Sequence, residues 1–170
     1  MKVNRKRKSV MLCASLCVTT ITANAVKQGE IAPGCDAIKT ATHMDGLTAY
    51  RGKVVYLDFW ASWCSPCRKS MPALNRLRNE LKDSGFELVA INVDENNADA
   101  QQFLSKHPVD YPVILDPAAS CPEIYGLQGM PTSYLIDRNG VIRDIHTGYR
   151  HGDVQLIRAR IVTLLEEDND

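Results

Sequence analysis

No acidic residue precedes Glu30, although the chain of 170 residues holds twenty Asp and Glu. Five of the first eight residues are Lys or Arg, so the remainder has fifteen basic residues against twenty acidic ones. This remainder is mildly acidic, whereas a nucleic-acid-binding protein needs a basic face. The charge balance therefore argues against nucleic acid as a partner.

The chain also lacks an apolar run of the ~20 residues that a membrane span needs. Its basic start is followed by a shorter apolar stretch, Val10–Ala23, and by the small-x-small sequence Ala23-Asn24-Ala25. This pattern is typical of a cleaved secretory signal peptide. We predict a signal peptide over 1–25 and one mature domain over 26–170 in the periplasm. A retained membrane anchor is the alternative.

The sequence has no second Cys-x-x-Cys pair beside Cys64-Ser65-Pro66-Cys67. A structural zinc site needs four ligands, usually two such pairs or one pair with suitably spaced histidines. The four histidines are isolated except for His146 and His151, which are predicted at a strand end and a helix entry. The sequence therefore favours redox chemistry over zinc binding, and we predict neither a metal nor a cofactor.

Two apolar runs predict central strands, 53–60, interrupted only by Asp58, and 86–93. Leucines at helical spacing predict a helix from about Ser65 to Lys82 between them. Weak turn signals over 26–52 suggest short strands or a hairpin. At the other end of the chain, the acidic tail 166–170 is expected to be frayed. Further helices are predicted over 97–106 and 121–125 and from 153, with strands over 111–115, 132–136 and 141–145. The order of elements predicts an α/β fold with a mixed sheet.

The cysteine pair is predicted where a buried strand ends and a helix begins. At a helix N-terminus, unpaired N–H groups and the helix dipole stabilise a thiolate, which favours Cys64 as the nucleophile. Cys67, one turn later, would resolve the mixed disulfide. Pro66 suits an early helix position because it has no N–H to leave unpaired. Trp63, adjacent to the nucleophile, is expected to shape the surface that a substrate meets.

Three blocks of sequence resemble the exported TlpA/ResA-like branch of the thioredoxin family. The first is Phe59-Trp60-Ala61-Ser62-Trp63-Cys64-Ser65-Pro66-Cys67-Arg68-Lys69, the second is Ala90-Ile91-Asn92-Val93-Asp94, and the third is Tyr125-Gly126-Leu127-Gln128-Gly129-Met130-Pro131-Thr132-Ser133-Tyr134-Leu135-Ile136-Asp137. The resemblance implies a thioredoxin fold with an N-terminal extension and an insert over about 95–127.

The resemblance also implies a substrate-binding surface around the cysteine pair. In this family the proline that matches Pro131 is cis and faces the two cysteines, which leaves the Met130 backbone free to pair with an extended substrate. A trans turn proline is the alternative. The predicted substrate-binding residues are therefore Met130 and Pro131 together with Trp63, Ser65 and Pro66.

Asp58 matches the buried aspartate that thioredoxins carry beneath the second cysteine. A carboxyl in an apolar strand should have a raised pKa and could exchange protons with Cys67; an outward-facing strand residue is the alternative. Ala90 stands where thioredoxin has a lysine. Ser70 departs from the Glu that is frequent in ResA-like members, so the resemblance leaves the proton chemistry to Asp58.

The remaining pair in the predicted mature chain, Cys35 and Cys121, is either a structural disulfide or two separate thiols. An exported protein meets an oxidising compartment, which favours the disulfide. Cys13 and Cys17 lie in the predicted signal peptide. Lipid attachment at Cys17 is disfavoured because Leu16 before it is bulky.

The sequence thus predicts an exported enzyme, a reductase of disulfides in other exported proteins. No charge or imidazole lies between the two cysteines, which favours a reducing pair. The resemblance implies a membrane thiol donor of the DsbD/CcdA type as the electron source. The alternatives are a disulfide oxidase or isomerase and a copper-binding metallochaperone.

Overall fold

The computed structural model describes residues 25–44 and 46–167. Apart from Ala25, the predicted signal peptide lies outside the described residues, and so do Cys13 and Cys17. Within the described part of the chain, no helix is both long enough and apolar enough to cross a membrane.

Five strands form one sheet, and the sheet is mixed, as the sequence predicts. The middle strand β1 (Val54–Trp60) pairs in parallel with β2 (Phe86–Asn92) and antiparallel with β4 (Thr132–Ile136). At the edges, β3 (Val113–Leu115) pairs in parallel with β2, and β5 (Ile142–Thr147) pairs antiparallel with β4. Every residue of β1 and β2 is buried, as expected for central strands covered on both faces.

The β4–β5 turn shows why the Asn-Gly sequence predicts a hairpin. Gly140 has φ of 78°, in the left-handed region that glycine adopts without steric cost. The Asp137 carboxylate accepts the backbone N–H groups of Asn139 and Val141, each at 2.9 Å. The turn is therefore closed by its own side chain.

Helices cover both faces of the sheet. One face carries α2 (Ser65–Leu81), α3 (Asn97–Lys106) and α5 (Asp153–Glu167), and the other carries α1 (Asp36–Thr42) and α4 (Ser120–Tyr125). Alternate side chains of β1 enter the two resulting cores. The first core includes Tyr56, Trp60, Cys64, Cys67, Leu74, Leu77 and Ile161. The second core includes Ile38, Leu57, Phe59, Cys35, Cys121 and Tyr125.

The expectation of short strands or a hairpin over 26–52 is wrong. The described part of this segment forms α1 and a 3₁₀ helix, Gly46–Tyr50, with a single isolated bridge from Ile31 to Val141 as its strand-like feature. Ile38 of α1 is completely buried in the second core. Tertiary packing, rather than a periodic local pattern, therefore decides the structure here.

The expectation of a frayed tail is also wrong for its first two residues. Glu166 and Glu167 belong to α5. The Glu167 carboxylate lies 3.0 Å from the Arg143 guanidinium of β5, which ties this helix end to the sheet. Residues 168–170 lie outside the described part of the chain.

A disulfide joins Cys35, the N-cap of α1, to Cys121 in α4. Both residues are buried in the second core. The bond ties the N-terminal segment to the segment 95–127, which holds α3, β3 and α4. That 95–127 is an insert relative to the family stays a prediction.

Removing this cross-link should destabilise the fold. The two cysteines are 86 residues apart, so the double variant Cys35→Ala/Cys121→Ala should lose up to about 4 kcal/mol in free energy of unfolding. Urea denaturation measures the loss. The matched control is Cys64→Ala/Cys67→Ala, which opens a loop of separation 3 and should lose less. An unchanged unfolding midpoint in the first variant would contradict the prediction.

Candidate active site

The Cys64–Cys67 pair lies at the start of α2, just beyond the end of β1. Cys64 is the helix N-cap, with extended backbone, and its Sγ accepts the N–H of Cys67 at 3.3 Å. The two sulfurs are joined in a disulfide, and their Cα atoms lie 5.3 Å apart. The positive end of the helix dipole therefore lies at the first cysteine, where it would stabilise a thiolate after reduction.

The surroundings of the two cysteines differ. Cys67 is completely buried and Cys64 is 4% exposed, while the neighbouring Trp63 is 67% exposed and Ser65 is also on the surface. Pro66, between the cysteines, is half-buried. In this oxidised form both cysteines are buried, and Cys64 is the one that lies between two exposed residues, Trp63 and Ser65.

Trp63 and Met130 line a common groove of about 540 Å³. Among its described lining residues only Glu95 is charged, and most of the others are apolar. The Met130–Pro131 peptide bond is cis, the isomer that the family resemblance implies, and Pro131 is buried. Two of the predicted substrate-binding residues thus share one surface; that Pro131 faces the cysteine pair stays a prediction.

Asp58 lies in the middle of β1 and is only 2% exposed. Tyr56 and Trp60, two positions before and after it, belong to the same core as Cys67. Because side chains alternate along a strand, Asp58 faces the same side of the sheet as Cys67. The alternative of an outward-facing residue does not fit this burial.

Burial raises the pKa of Asp58 from 3.8 to about 7, and a hydrogen bond from Ser133 partly offsets the rise. The Ser133 hydroxyl donates to Asp58 Oδ1 at 2.6 Å from the adjacent strand β4. On the neighbouring strand β2, the residue paired with Asp58 is Ala90, whose side chain carries no charge. A carboxyl with this pKa can both accept and release a proton near neutral pH.

Ser70 is buried and its hydroxyl donates to the Cys67 carbonyl at 2.8 Å. The serine is therefore committed to its own helix backbone. A hydroxyl cannot act as an acid–base group near neutral pH.

Sequence reasoning missed two polar contacts at this site. The first is the Ser133–Asp58 hydrogen bond, and the second is a bond from the Ser62 hydroxyl to Asp94 at 3.1 Å. Both Ser133 and Asp94 lie within the sequence blocks that resemble the family, and this was the signal that could have pointed to them. Within residues 25–44 and 46–167, no three His, Cys, Asp or Glu side chains are grouped to hold a metal ion.

The sequence profile of the Redoxin family matches residues 28–161. The chain belongs to the Redoxin family. Thiol-disulfide oxidoreductase ResA from Geobacillus kaustophilus is 36% identical over 124 residues, which cover 73% of this chain and 71% of the relative. ResA from Bacillus thuringiensis subsp. konkukian is 32% identical over 142 residues, covering 80% and 82%.

A solved structure supports the same assignment. The crystal structure of a Chlorobium tepidum protein assigned as thiol:disulfide interchange protein DsbE matches with a TM-score of 0.73 and 41% identity, covering 83% of this chain and 99% of that one. The resemblance to the TlpA/ResA-like branch and the predicted thioredoxin fold are confirmed. This Redoxin-family protein is a thiol-disulfide oxidoreductase with a Cys64–Cys67 redox pair.

The burial of Asp58 predicts a pH-dependent stability. Between about pH 4 and pH 7 the folded carboxyl keeps a proton that the unfolded chain has lost, because its folded pKa is about 7. Stability is therefore highest at the acid end of this window and falls as pH rises through it, by roughly 4 kcal/mol in total. Asp58→Asn cannot ionise, so it should be more stable than the wild type above about pH 7.

Urea unfolding of both proteins between about pH 4 and pH 8 measures this difference. The difference in free energy of unfolding between Asp58→Asn and the wild type should shrink as the pH falls toward the pKa of the unfolded carboxyl. Ser133→Ala is the matched control, since it removes the hydrogen bond that favours the ionised form and should extend the fall in stability to higher pH. Equal pH dependence in the wild type and Asp58→Asn would show that Asp58 does not titrate in this window.

Proposed function

We propose that this protein is a periplasmic reductase that opens disulfides in exported proteins, with Cys64 as nucleophile and Cys67 as resolving thiol. One observation carries the proposal. Cys64 at the helix start, the completely buried Cys67 and the buried Asp58 carboxyl of β1 lie on one side of the sheet.

The first step is attack by the Cys64 thiolate on one sulfur of the substrate disulfide. The substrate S–S bond breaks, a bond forms between Cys64 Sγ and the attacked sulfur, and the other substrate sulfur leaves as a thiolate that takes up a proton. The helix N-terminus favours this step because it stabilises the attacking thiolate. Trp63 and Met130 provide the surface beside the mixed disulfide.

The second step is release by Cys67. The ionised Asp58 accepts the Cys67 proton, and the resulting thiolate attacks Cys64 Sγ. The Cys64–Cys67 disulfide forms, and the second substrate sulfur leaves as a thiolate. Two electrons have then passed from the protein dithiol to the substrate.

Two features support the reducing direction and the exported location. Ser65 and Pro66 add no charge to stabilise the thiolate, so the reduced pair remains a good electron donor. The signal-peptide pattern over 1–25 and the Cys35–Cys121 disulfide both suit an oxidising compartment. A membrane thiol donor of the DsbD/CcdA type would return the Cys64–Cys67 pair to its dithiol form.

The pKa of Asp58 predicts a pH-dependent release step. Release should speed up as pH rises toward about 7, where the carboxyl becomes ionised, and then level off. Asp58→Asn should slow release at neutral pH by about 100-fold and leave the first attack nearly unchanged. Stopped-flow reduction of a model disulfide separates the two steps. If neither step slows, Asp58 is a packing residue and another group moves the proton.

The redox state in cells tests the direction. Alkylation trapping should find Cys64 and Cys67 mostly reduced in the periplasm, and oxidised when the membrane thiol donor is removed. Cys67→Ser should accumulate mixed disulfides with exported proteins, because the resolving thiol is missing. The matched control Cys64→Ser/Cys67→Ser should trap none. A pair that stays oxidised with or without the donor would favour the oxidase alternative.

A further inference from the structure

Ser62, two residues before Cys64, is held by a carboxylate from the neighbouring strand end. The Asp94 oxygens accept the Ser62 N–H at 3.2 and 3.0 Å, and Oδ1 also accepts the Ser62 hydroxyl at 3.1 Å. Asp94 is 2% exposed and lies two residues beyond the end of β2. A buried carboxylate thus binds both donors of a single residue in the active-site turn.

Asp94 is fixed from its other side by Asn92, the last residue of β2. The Asn92 amide donates to Asp94 Oδ2 at 2.8 Å, and the Asp94 N–H donates to Asn92 Oδ1 at 3.1 Å. Asn92 is completely buried. The carboxylate therefore cannot change its position without leaving the Asn92 amide and both Ser62 donors unpaired.

Ser62 lies at the apex of the segment between β1 and α2. The Val93 N–H donates to the Trp60 carbonyl at 3.0 Å, and the Cys64 N–H donates to the Ala61 carbonyl at 3.1 Å. These backbone bonds fix the two ends of the turn. The side chain that fixes its apex is Asp94.

We propose that Asp94 is a positioning residue for the nucleophile: by holding Ser62, it keeps Cys64 at the N-cap of α2, within bonding distance of Cys67. A fixed turn raises the effective concentration of one sulfur at the other, which stabilises the intramolecular disulfide. The inference concerns thiol–disulfide exchange itself and holds for either direction of electron flow. Its failure is therefore separate from a failure of the proposed reductase function.

The chain offers a matched control for this role in Asp116. This aspartate is also 2% exposed, and it accepts the Ser120 N–H at 3.1 Å, the Ser120 hydroxyl at 3.0 Å and the Cys121 N–H at 2.7 Å. It caps α4 in the second core, on the opposite face of the sheet from Cys64. Asp116→Asn therefore removes a comparable network without touching the active-site turn.

The test is the equilibrium of the Cys64–Cys67 disulfide with glutathione, together with an absorbance titration of the Cys64 thiolate. Asp94→Asn should make the disulfide at least about tenfold easier to reduce, which corresponds to roughly 30 mV. Ser62→Ala, which keeps the Asp94 charge, should shift the equilibrium the same way by about threefold. Ser62→Thr keeps both donors and should restore the wild-type value. Asp116→Asn should leave the equilibrium unchanged.

Several results would overturn the assignment. An unchanged glutathione equilibrium in Asp94→Asn would overturn it. An equal shift in Asp116→Asn would also overturn it, because it would indicate a general loss of stability. A shift in Asp94→Asn that is fully matched by a lowered Cys64 pKa, with Ser62→Ala unchanged, would assign the effect to charge rather than position. If Asp94→Asn does not fold, equal equilibria in Ser62→Ala and Ser62→Thr would refute the proposal.

Discussion

The structure depends on β1, a strand that is hydrogen-bonded on both sides and buried on both faces. Such a strand has almost no freedom to shift, because a slip of one residue would move each side chain to the opposite face. That rigidity fixes two chemical groups at once. It places Cys64 at the start of α2, and it holds Asp58 inside the core beside α2. The redox site is therefore built directly on β1, the strand of the sheet that is least free to move.

Two equally buried aspartates near this site have opposite surroundings. Asp58 receives one hydrogen bond, from Ser133, and burial is the larger influence, so its pKa rises to about 7. Asp94 accepts hydrogen bonds from the Ser62 backbone, the Ser62 hydroxyl and the Asn92 amide. The poorly solvated carboxyl is suited to moving a proton, and the fully bonded one is suited to holding a turn. The number of hydrogen-bond donors, rather than depth, distinguishes the two carboxyl groups.

Local signals explain why the core of the fold could be predicted. The apolar run of β1, followed by a cysteine N-cap and an early proline, indicates a strand–helix junction without any tertiary information. The missed features depend on distant contacts, since Ser133 and Asp58 are 75 residues apart and Ser62 and Asp94 are 32 apart. The seven-residue α1 was missed for the same reason, because burial of Ile38 stabilises it rather than any repeating pattern. Resemblance found Asp58 and its uncharged neighbour Ala90 because their positions in the motifs are fixed, whereas it did not single out the hydrogen bond from Ser133 that also affects the pKa of Asp58.

A thiol-disulfide oxidoreductase that contains a second disulfide must keep its redox pair from exchanging with that bond. Thiol–disulfide exchange requires the attacking sulfur to approach along the S–S axis, so access decides whether it occurs. Here the Cys64–Cys67 pair lies in the core under α2, and the Cys35–Cys121 bond lies in the core under α1 and α4. The central sheet separates the two, so the Cys64–Cys67 pair cannot contact the Cys35–Cys121 bond of the same molecule. The layered fold therefore keeps the redox pair apart from the structural cross-link within one molecule.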